Sequence, residues 1–199
     1  MKYCSHQMSC CRWLCLGLLL LSGCVQIDTT ENGASELIDR SMIALHKRMA
    51  AGEWEGAHGE ALHLLASFPE YAPGYLDLGI VSEHLDRRED AREAYETALT
   101  LTPDSISTLN RLALLSRRQG EFSTAEQYYL RALDVNDHHA ATHRNLGILY
   151  DLYLGNVASA IKHYEICLEN MSVDDPQLNF WVTDLRRRKS QQNVTGADR

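Results

Sequence analysis

Histidine and cysteine side chains are the groups in this chain that could bind a metal ion or carry out redox chemistry. Of the nine histidines, His139 and His143 are four residues apart, with His138 beside them. On a helix, residues four apart lie on one face, where two imidazole rings can bind a metal ion. His143, however, stands 34 residues after Leu109 and so takes an apolar helix-packing position. This placement favours a structural role over a metal site.

The six cysteines are unevenly placed, and their distribution argues against a disulfide framework. All but one precede the main body of the chain, at Cys4, Cys10, Cys11, Cys15 and Cys24. The cluster of Cys10, Cys11 and Cys15 could supply metal ligands, but it is embedded in an apolar export segment, which favours export over metal binding. Cys167 takes a position that Ala98 and Ala132 hold earlier in the chain. We therefore expect a small, buried thiol there.

Catalytic motifs are missing from the sequence. It has no His-Glu-x-x-His, no Gly-x-Ser-x-Gly and no glycine-rich phosphate loop. The net charge is −8, and no basic run of the kind that binds nucleic acid lies between residues 36 and 173. The sequence therefore predicts a protein that is not an enzyme, without catalytic residues, metal or cofactor. It also predicts neither a nucleic-acid nor a small-molecule partner.

Residues 1–23 have the three parts of a signal peptide. A start with Lys2 and Arg12 precedes an apolar run at 13–21, which is too short to span a bilayer as a helix. The run ends in Leu-Ser-Gly-Cys at residues 21–24, which resembles the lipobox of bacterial lipoproteins. By that resemblance, Cys24 is linked to diacylglycerol and becomes the acylated N-terminus. The alternative is a plain secretory signal with an incidental cysteine.

Residues 24–35 are polar and predict a tether behind the lipidated cysteine. Loss of residues 1–23 removes two positive charges and no acids, which changes the net charge from −8 to −10. In enteric lipoproteins an aspartate after the cysteine signals retention in the inner membrane, and Val25 stands there in this chain. By the resemblance, we expect the protein on the periplasmic face of the outer membrane.

The stretch at residues 72–105 predicts a pair of short amphipathic helices. Apolar residues with helical spacing fill 74–85 and again 90–101, and charged residues at 86–89 separate the two runs. Pro103 ends the second run, because proline removes a hydrogen-bond donor and disfavours helix in the residue before it. Neither helix can bury its apolar face within the pair, so the pair needs neighbours.

The same pattern recurs every 34 residues, with large apolar residues and small residues each repeating in their own positions. The matched sets are Leu78, Leu112 and Leu146; Gly79, Ala113 and Gly147; Ala91 and Ala125; Tyr95 and Tyr129; and Leu99 and Leu133. This period and the paired helices resemble the tetratricopeptide repeat (TPR) family. The resemblance implies an all-α, right-handed superhelical solenoid of about four helix–turn–helix repeats plus a C-terminal capping helix.

We place the TPR domain at 36–173, with repeats at about 38–71, 72–105, 106–139 and 140–173. The first repeat is degraded: Ser35 is its predicted helix cap, and Leu37, Ile43, Ala44 and Leu45 are its predicted apolar positions. The fourth repeat has one extra residue in its turn, near Gly155. A capping helix is predicted at 174–190 and a disordered tail at 191–199.

In the TPR family, peptides bind the concave surface that the first helices of the repeats line. Carried onto this chain, the resemblance predicts a groove that is apolar and arginine-bearing in its middle. Its residues are Leu76, Ile80, Asn110, Arg111, Leu114, Arg117, Arg144 and Ile148. Leu76 and Ile80 replace polar members of the set with which chaperone-binding TPRs hold a peptide carboxylate, which argues against that use.

Taken together, these features predict a lipid-anchored adaptor of the bacterial envelope that binds envelope proteins in its groove. Small TPR lipoproteins of this layout resemble those that assist pilus and secretin assembly, sometimes called pilotins. The alternative resemblance is to TPR adaptors that regulate peptidoglycan hydrolases or synthases.

Overall fold

The computed structural model describes the backbone of residues 31–196 and the side chains of residues 33–191. The predicted signal peptide and Cys24 lie outside these residues. The described part folds into nine α-helices and contains no strand. They are α1 (Glu31–Ala51), α2 (Trp54–Ser67), α3 (Ala72–His84), α4 (Arg88–Leu101), α5 (Ile106–Arg118), α6 (Phe122–Val135), α7 (Ala140–Leu152), α8 (Val157–Glu169) and α9 (Pro176–Gly196).

The helices form four consecutive pairs, α1–α2, α3–α4, α5–α6 and α7–α8, followed by α9. Each helix packs on the next one along the chain, and α5 also contacts α7. Each pair turns through a residue with positive φ: Gly52 (73°), Asp86 (55°), Gly120 (81°) and Gly155 (64°). The first three are 34 residues apart and the last follows after 35, so the extra residue of the fourth repeat does lie in its turn.

Within a pair, a tyrosine ring of the second helix packs on a small residue of the first. A β-carbon added to Gly79 would lie less than 3.0 Å from three ring atoms of Tyr95, and one added to Gly147 would lie 2.5 Å from two ring atoms of Tyr164. Both tyrosines are buried in the core. This contact explains why the small and aromatic positions repeat with one period.

The first helix differs from the predicted pattern. It begins at Glu31, so Ser35 lies inside the helix and the prediction that Ser35 caps it is wrong. Leu37 and Ile43 are 56% and 68% exposed, whereas Leu45 is fully buried. Among the described residues no pair packs on the other side of α1, so the face that meets α2 and α3 is the one that is covered. Leu45 lies on that face, against Ala57, Ala61 and Val81.

The last helix closes the other end of the stack. Leu178, Val182 and Leu185 of α9 are buried against the apolar face of α8, as expected of a capping helix. The helix continues to Gly196, into the segment that the sequence predicted to be disordered. None of the described helices is long and apolar enough to cross a membrane.

Candidate functional site

The first helices of successive pairs are joined by side-chain bridges, which define the inner face of the stack. His46 on α1 lies 2.7 Å from a carboxylate oxygen of Asp77 on α3. Arg118 at the end of α5 donates to Glu83 on α3 over 2.6 Å, and Glu83 also accepts from the buried Tyr95 hydroxyl. These contacts hold α1, α3 and α5 side by side, as a concave wall requires.

Asn110, one of the predicted groove residues, belongs to this set of bridges. Its amide nitrogen donates to the Ile106 carbonyl over 2.9 Å and to the Thr142 hydroxyl on α7 over 2.7 Å. Its carbonyl oxygen Oδ1 is buried and has no hydrogen-bond partner among the described residues. In this conformation, therefore, Asn110 ties α5 to α7 rather than facing an open groove.

Some of the predicted apolar groove residues pack on the core, whereas one remains available to a partner. Leu76 and Ile80 are half-buried and pack on the core between α4 and α5. Leu114 is also half-buried, but it belongs to none of the apolar clusters found in residues 33–191. Of the three predicted groove residues Leu76, Ile80 and Leu114, only Leu114 lies outside these clusters, and its side chain is the one available to a partner.

Arg111 and Arg117 are the predicted groove arginines without an acidic partner. Neither side chain makes a hydrogen bond or an ion pair with another described residue. The charge of Arg111 opposes the rise in the pKa of Tyr95 that burial causes, so Arg111 lies near that hydroxyl. The Arg117 guanidinium lies 5.6 Å from the centre of the Tyr153 ring, and its Nε and Nη1 atoms are buried without partners. An unpaired buried guanidinium is costly, so a carboxylate ligand would relieve it.

Arg144 and Ile148 lie where the capping segment covers the predicted groove. Nη1 of Arg144 is 3.2 Å from a carboxylate oxygen of Asp175, just before α9, and its guanidinium lies 5.9 Å from the Trp181 ring centre. Ile148 packs on the apolar cluster that α8 and α9 share. The groove set therefore does not form one open surface: Arg111, Leu114 and Arg117 remain, and the C-terminal end is occupied.

Beside that covered end lies a pocket of about 330 Å³, which we call the C-terminal pocket. Its walls come from α7, α8 and α9. They are Ile148, Asp151, Leu152, Tyr164, Phe180, Trp181, Asp184 and Arg188. Leu152 is 69% exposed and Phe180 is 68% exposed, so two large apolar side chains stand at its rim. The sequence did not predict it, because its shape depends on how three successive helices pack and not on the repeated pattern.

The histidines singled out in the sequence have structural contacts. His139 caps α7, where its Nδ1 accepts from the backbone nitrogen of Thr142 over 3.2 Å. His143 is buried; its Nε2 donates to the Asp137 carbonyl over 2.8 Å, and its Nδ1 lies 2.9 Å from Nδ1 of His163. Among the described residues, no group of three or more His, Cys, Asp or Glu side chains could hold a metal ion.

Cys167 is buried beside Met171, with 3.6 Å between the two sulfur atoms. Burial raises the pKa of its thiol, which lowers the fraction of reactive thiolate. Its position matches the small, inert core residue expected from the repeat.

Comparison with known proteins identifies the repeated unit. Two family models, both described as tetratricopeptide repeat, match residues 46–106 and 104–172. The chain belongs to the tetratricopeptide repeat family. The all-α TPR solenoid predicted from the 34-residue period is thereby confirmed.

Similar proteins include one relative of nearly the same extent and several solved TPR structures. The uncharacterized protein y4yS of Sinorhizobium fredii is 27% identical over 153 residues, which span 71% of this chain and 82% of the relative. The structure of Pseudomonas aeruginosa pilF has a TM-score of 0.72 at 21% identity and covers 80% of this chain and 72% of its own. A TPR protein of Thermus thermophilus has a TM-score of 0.62 at 22% identity, over 71% and 77% of the two chains. At these identities the structural matches show a shared fold.

Proposed function

We propose that this TPR protein is a non-enzymatic adaptor that is anchored in the bacterial envelope by lipid at Cys24. It binds a segment of another envelope protein on its inner face and assists assembly of a pilus or secretion complex. The observation that carries the proposal is the inner face of α5, where Arg111 makes no ion pair beside the available Leu114. These two residues are three apart and therefore share one face of the helix.

The chemistry of this face favours a partner segment with both acidic and apolar side chains. An arginine without a partner can form a charge-assisted, bidentate hydrogen bond with a carboxylate. The chain is otherwise acidic, with a net charge of −8. An unpaired cation on its inner wall would therefore fix the position and orientation of an acidic partner segment.

Two further features support the proposed location in the envelope and the proposed role in pilus assembly. The Leu-Ser-Gly-Cys ending of the leader supports lipidation at Cys24. The fold is shared with pilF of Pseudomonas aeruginosa, which fits the resemblance to small TPR lipoproteins of pilus and secretin assembly. From the membrane-held cysteine, the inner face would meet partners that are themselves fixed in the envelope.

The test is photo-crosslinking in the native host cell. A photo-reactive residue replaces Leu114 on the inner face or, as the matched control, the exposed Gln127 on the outer helix α6. We expect crosslinks to an envelope protein from position 114 and none to the same protein from position 127. Arg111→Glu should reduce the yield from position 114 by at least about tenfold, since it places like charge against the acidic partner.

The identity of the crosslinked protein distinguishes the two adaptor roles. A pilus or secretin component supports the proposed role. A peptidoglycan hydrolase or synthase would replace that role with regulation of the cell wall. Crosslinks from position 127 alone, or a yield that Arg111→Glu leaves unchanged, would contradict binding on the inner face.

A further inference from the structure

The C-terminal pocket has the size and lining of a receptor for one bulky apolar side chain. Its volume is about 330 Å³, within the range of ligand sites. The aromatic rings of Tyr164 and Trp181 form its wall, and the exposed Leu152 and Phe180 stand at the rim. Two large apolar side chains that are both about two-thirds exposed would bury considerable area if a partner covered them.

The charged residues of the pocket are paired with one another, with one arginine shared by two carboxylates. Arg188 directs Nε to a carboxylate oxygen of Asp184 at 3.0 Å and Nη2 to Asp151 at 3.8 Å. Arg188 thus lies between two carboxylates and is not available to pair with an acidic group of a partner. The pocket itself is therefore suited to an uncharged, apolar group.

Arg117 is a cation without an acidic partner that lies close to the rim of this pocket. Its guanidinium lies over the ring of Tyr153, which follows the rim residue Leu152 in the chain. Its charge also opposes the rise in the pKa of Tyr164, a wall residue of the pocket, which burial causes. Nε and Nη1 of Arg117 are buried and have no hydrogen-bond partner. Nη2 also makes no hydrogen bond, but it is not buried. Nη2 is the atom that can meet a carboxylate from outside.

We propose that the C-terminal pocket and Arg117 form one docking site for a partner segment. The segment places a bulky apolar side chain in the pocket and a nearby carboxylate on Nη2 of Arg117. This inference rests on the proposed adaptor function and adds the chemistry that the partner must carry. It moves the C-terminal part of the binding surface from Arg144, which pairs with Asp175, to Arg117 and the pocket, whose wall includes Ile148.

The occupant is a segment of another protein rather than a second copy of this chain. Two copies with a net charge of −8 each repel one another. A single acidic side chain on a partner segment, in contrast, meets the unpaired Arg117 without bringing a whole acidic surface against it. Arg117 therefore selects for a local acid, and the pocket selects for its apolar neighbour.

Short peptides test this chemistry without knowledge of the natural partner. The probes are acetyl-Glu-(Ala)n-Phe-amide with n from zero to three, so that the spacing between carboxylate and ring is varied systematically. The full chain is labelled with 5-fluorotryptophan and followed by ¹⁹F NMR, in which Trp181 reports on the pocket. Trp54, stacked on His84 in the N-terminal half at 3.7 Å between ring centres, is the internal control.

We expect one spacing to shift the Trp181 resonance and leave Trp54 unchanged. Replacing the Glu of that peptide by Gln should weaken binding about five- to tenfold, because a charge-assisted hydrogen bond is lost. In Arg117→Gln, the Glu and Gln peptides should bind equally. Arg131→Gln, which changes an exposed arginine bonded to the Pro103 carbonyl, should preserve the difference. Leu152→Asp should weaken both peptides.

In the peptide experiment, two results would overturn the inference: the absence of a Trp181 shift at every spacing, or a Glu-to-Gln difference that persists in Arg117→Gln. Sedimentation that shows a dimer dissociated by Leu152→Asp would assign the pocket to a second copy instead. Crosslinking from position 114 is independent of these outcomes, so the docking site can fail while the adaptor function stands.

Discussion

The ring of Tyr95 occupies the space that a side chain at Gly79 would need. A β-carbon there would lie less than 3.0 Å from three ring atoms, and the ring is held because its hydroxyl donates to Glu83 over 2.6 Å. Alanine favours a helix by about 1 kcal/mol over glycine. Overpacking of a fixed ring costs about 1–3 kcal/mol, so the packing cost should outweigh the propensity gain.

We therefore expect Gly79→Ala to lower the free energy of unfolding by about 1 kcal/mol, as measured by urea denaturation. Gly59→Ala is the matched control, since Gly59 lies within α2 and no atom approaches its β-carbon position within 4 Å. This control should raise the free energy of unfolding by about 0.5–1 kcal/mol. An increase in the free energy of unfolding in both variants would mean that the ring of Tyr95 moves to make room for the added methyl group.

The pair of His143 and His163 makes stability depend on pH. The Asp137 carbonyl can only accept, so Nε2 of His143 carries a proton, and in the neutral pair Nδ1 of His163 donates to Nδ1 of His143. Burial, together with the charge of a protonated His143 and of Lys162, lowers the pKa of His163 to about 4 from its usual value of 6.5. The unfolded chain thus takes up a proton before the folded one does.

The sign of the effect follows from this order. Stability should be complete above about pH 6.5, fall as the pH decreases toward 4, and level off below that for this group. His163→Gln should flatten this part of the profile of unfolding free energy against pH. His138→Gln, which changes an exposed histidine, serves as the control. A slope that both variants share with the parent chain would assign it to other groups.

At the level of whole elements, α9 protects the apolar face of the last pair. Leu185 is fully buried in the cluster of α8 and α9, whereas Phe180 on the same helix is 68% exposed. Leu185→Ala should therefore lower the free energy of unfolding by about 2–4 kcal/mol through lost burial and a residual cavity. Phe180→Ala should change it by less than about 0.5 kcal/mol.

Urea denaturation followed by Trp181 fluorescence measures both changes near the helix itself. A loss of Trp181 signal before the loss of helicity in Leu185→Ala would show that α9 and the last pair open first, as expected for a terminal unit of a solenoid. Equal costs from the two variants would contradict the role of α9 as a cap.

The sequence predicted the repeated elements well because the same packing contact recurs. The contact between Gly79 and Tyr95 recurs between Gly147 and Tyr164. The residues that form it therefore repeat in the sequence at a fixed period. Helix pairs, turns and the extra residue near Gly155 follow from that period. Each is a local feature with several copies.

The ends of the stack and the open part of the groove could not be predicted in the same way. Leu37 and Ile43 have helical spacing but are exposed, because no other pair within the described residues covers that side of α1. The sequence predicted Arg144 as an open groove residue, whereas in the structure it pairs with Asp175, which lies 31 positions later in the chain. Both outcomes depend on single tertiary contacts that no period repeats, and the same holds for the walls of the C-terminal pocket.

For the whole molecule, the start of α1 limits how far the binding surface can reach. The chain has seven peptide units between Cys24 and Glu31, where α1 begins. Fully extended, they span at most about 25 Å. If Cys24 is held in a membrane, α1 and the pairs behind it stay close to that surface, and a partner must approach within this distance.

Lipidation at Cys24 is therefore the prediction on which the placement of the whole molecule depends. Cys24→Ala should abolish incorporation of an alkyne-labelled fatty acid and release the protein from the membrane fraction, because the thiol that forms the thioether is lost. Cys15→Ala removes another cysteine of the same leader and should leave labelling intact. Labelling that persists in Cys24→Ala would contradict lipidation at Cys24 and place the lipid at a different residue. One acyl chain alone binds a membrane weakly, with an association constant of about 10⁴ M⁻¹, so firm retention of the parent chain would itself indicate several chains on the one cysteine.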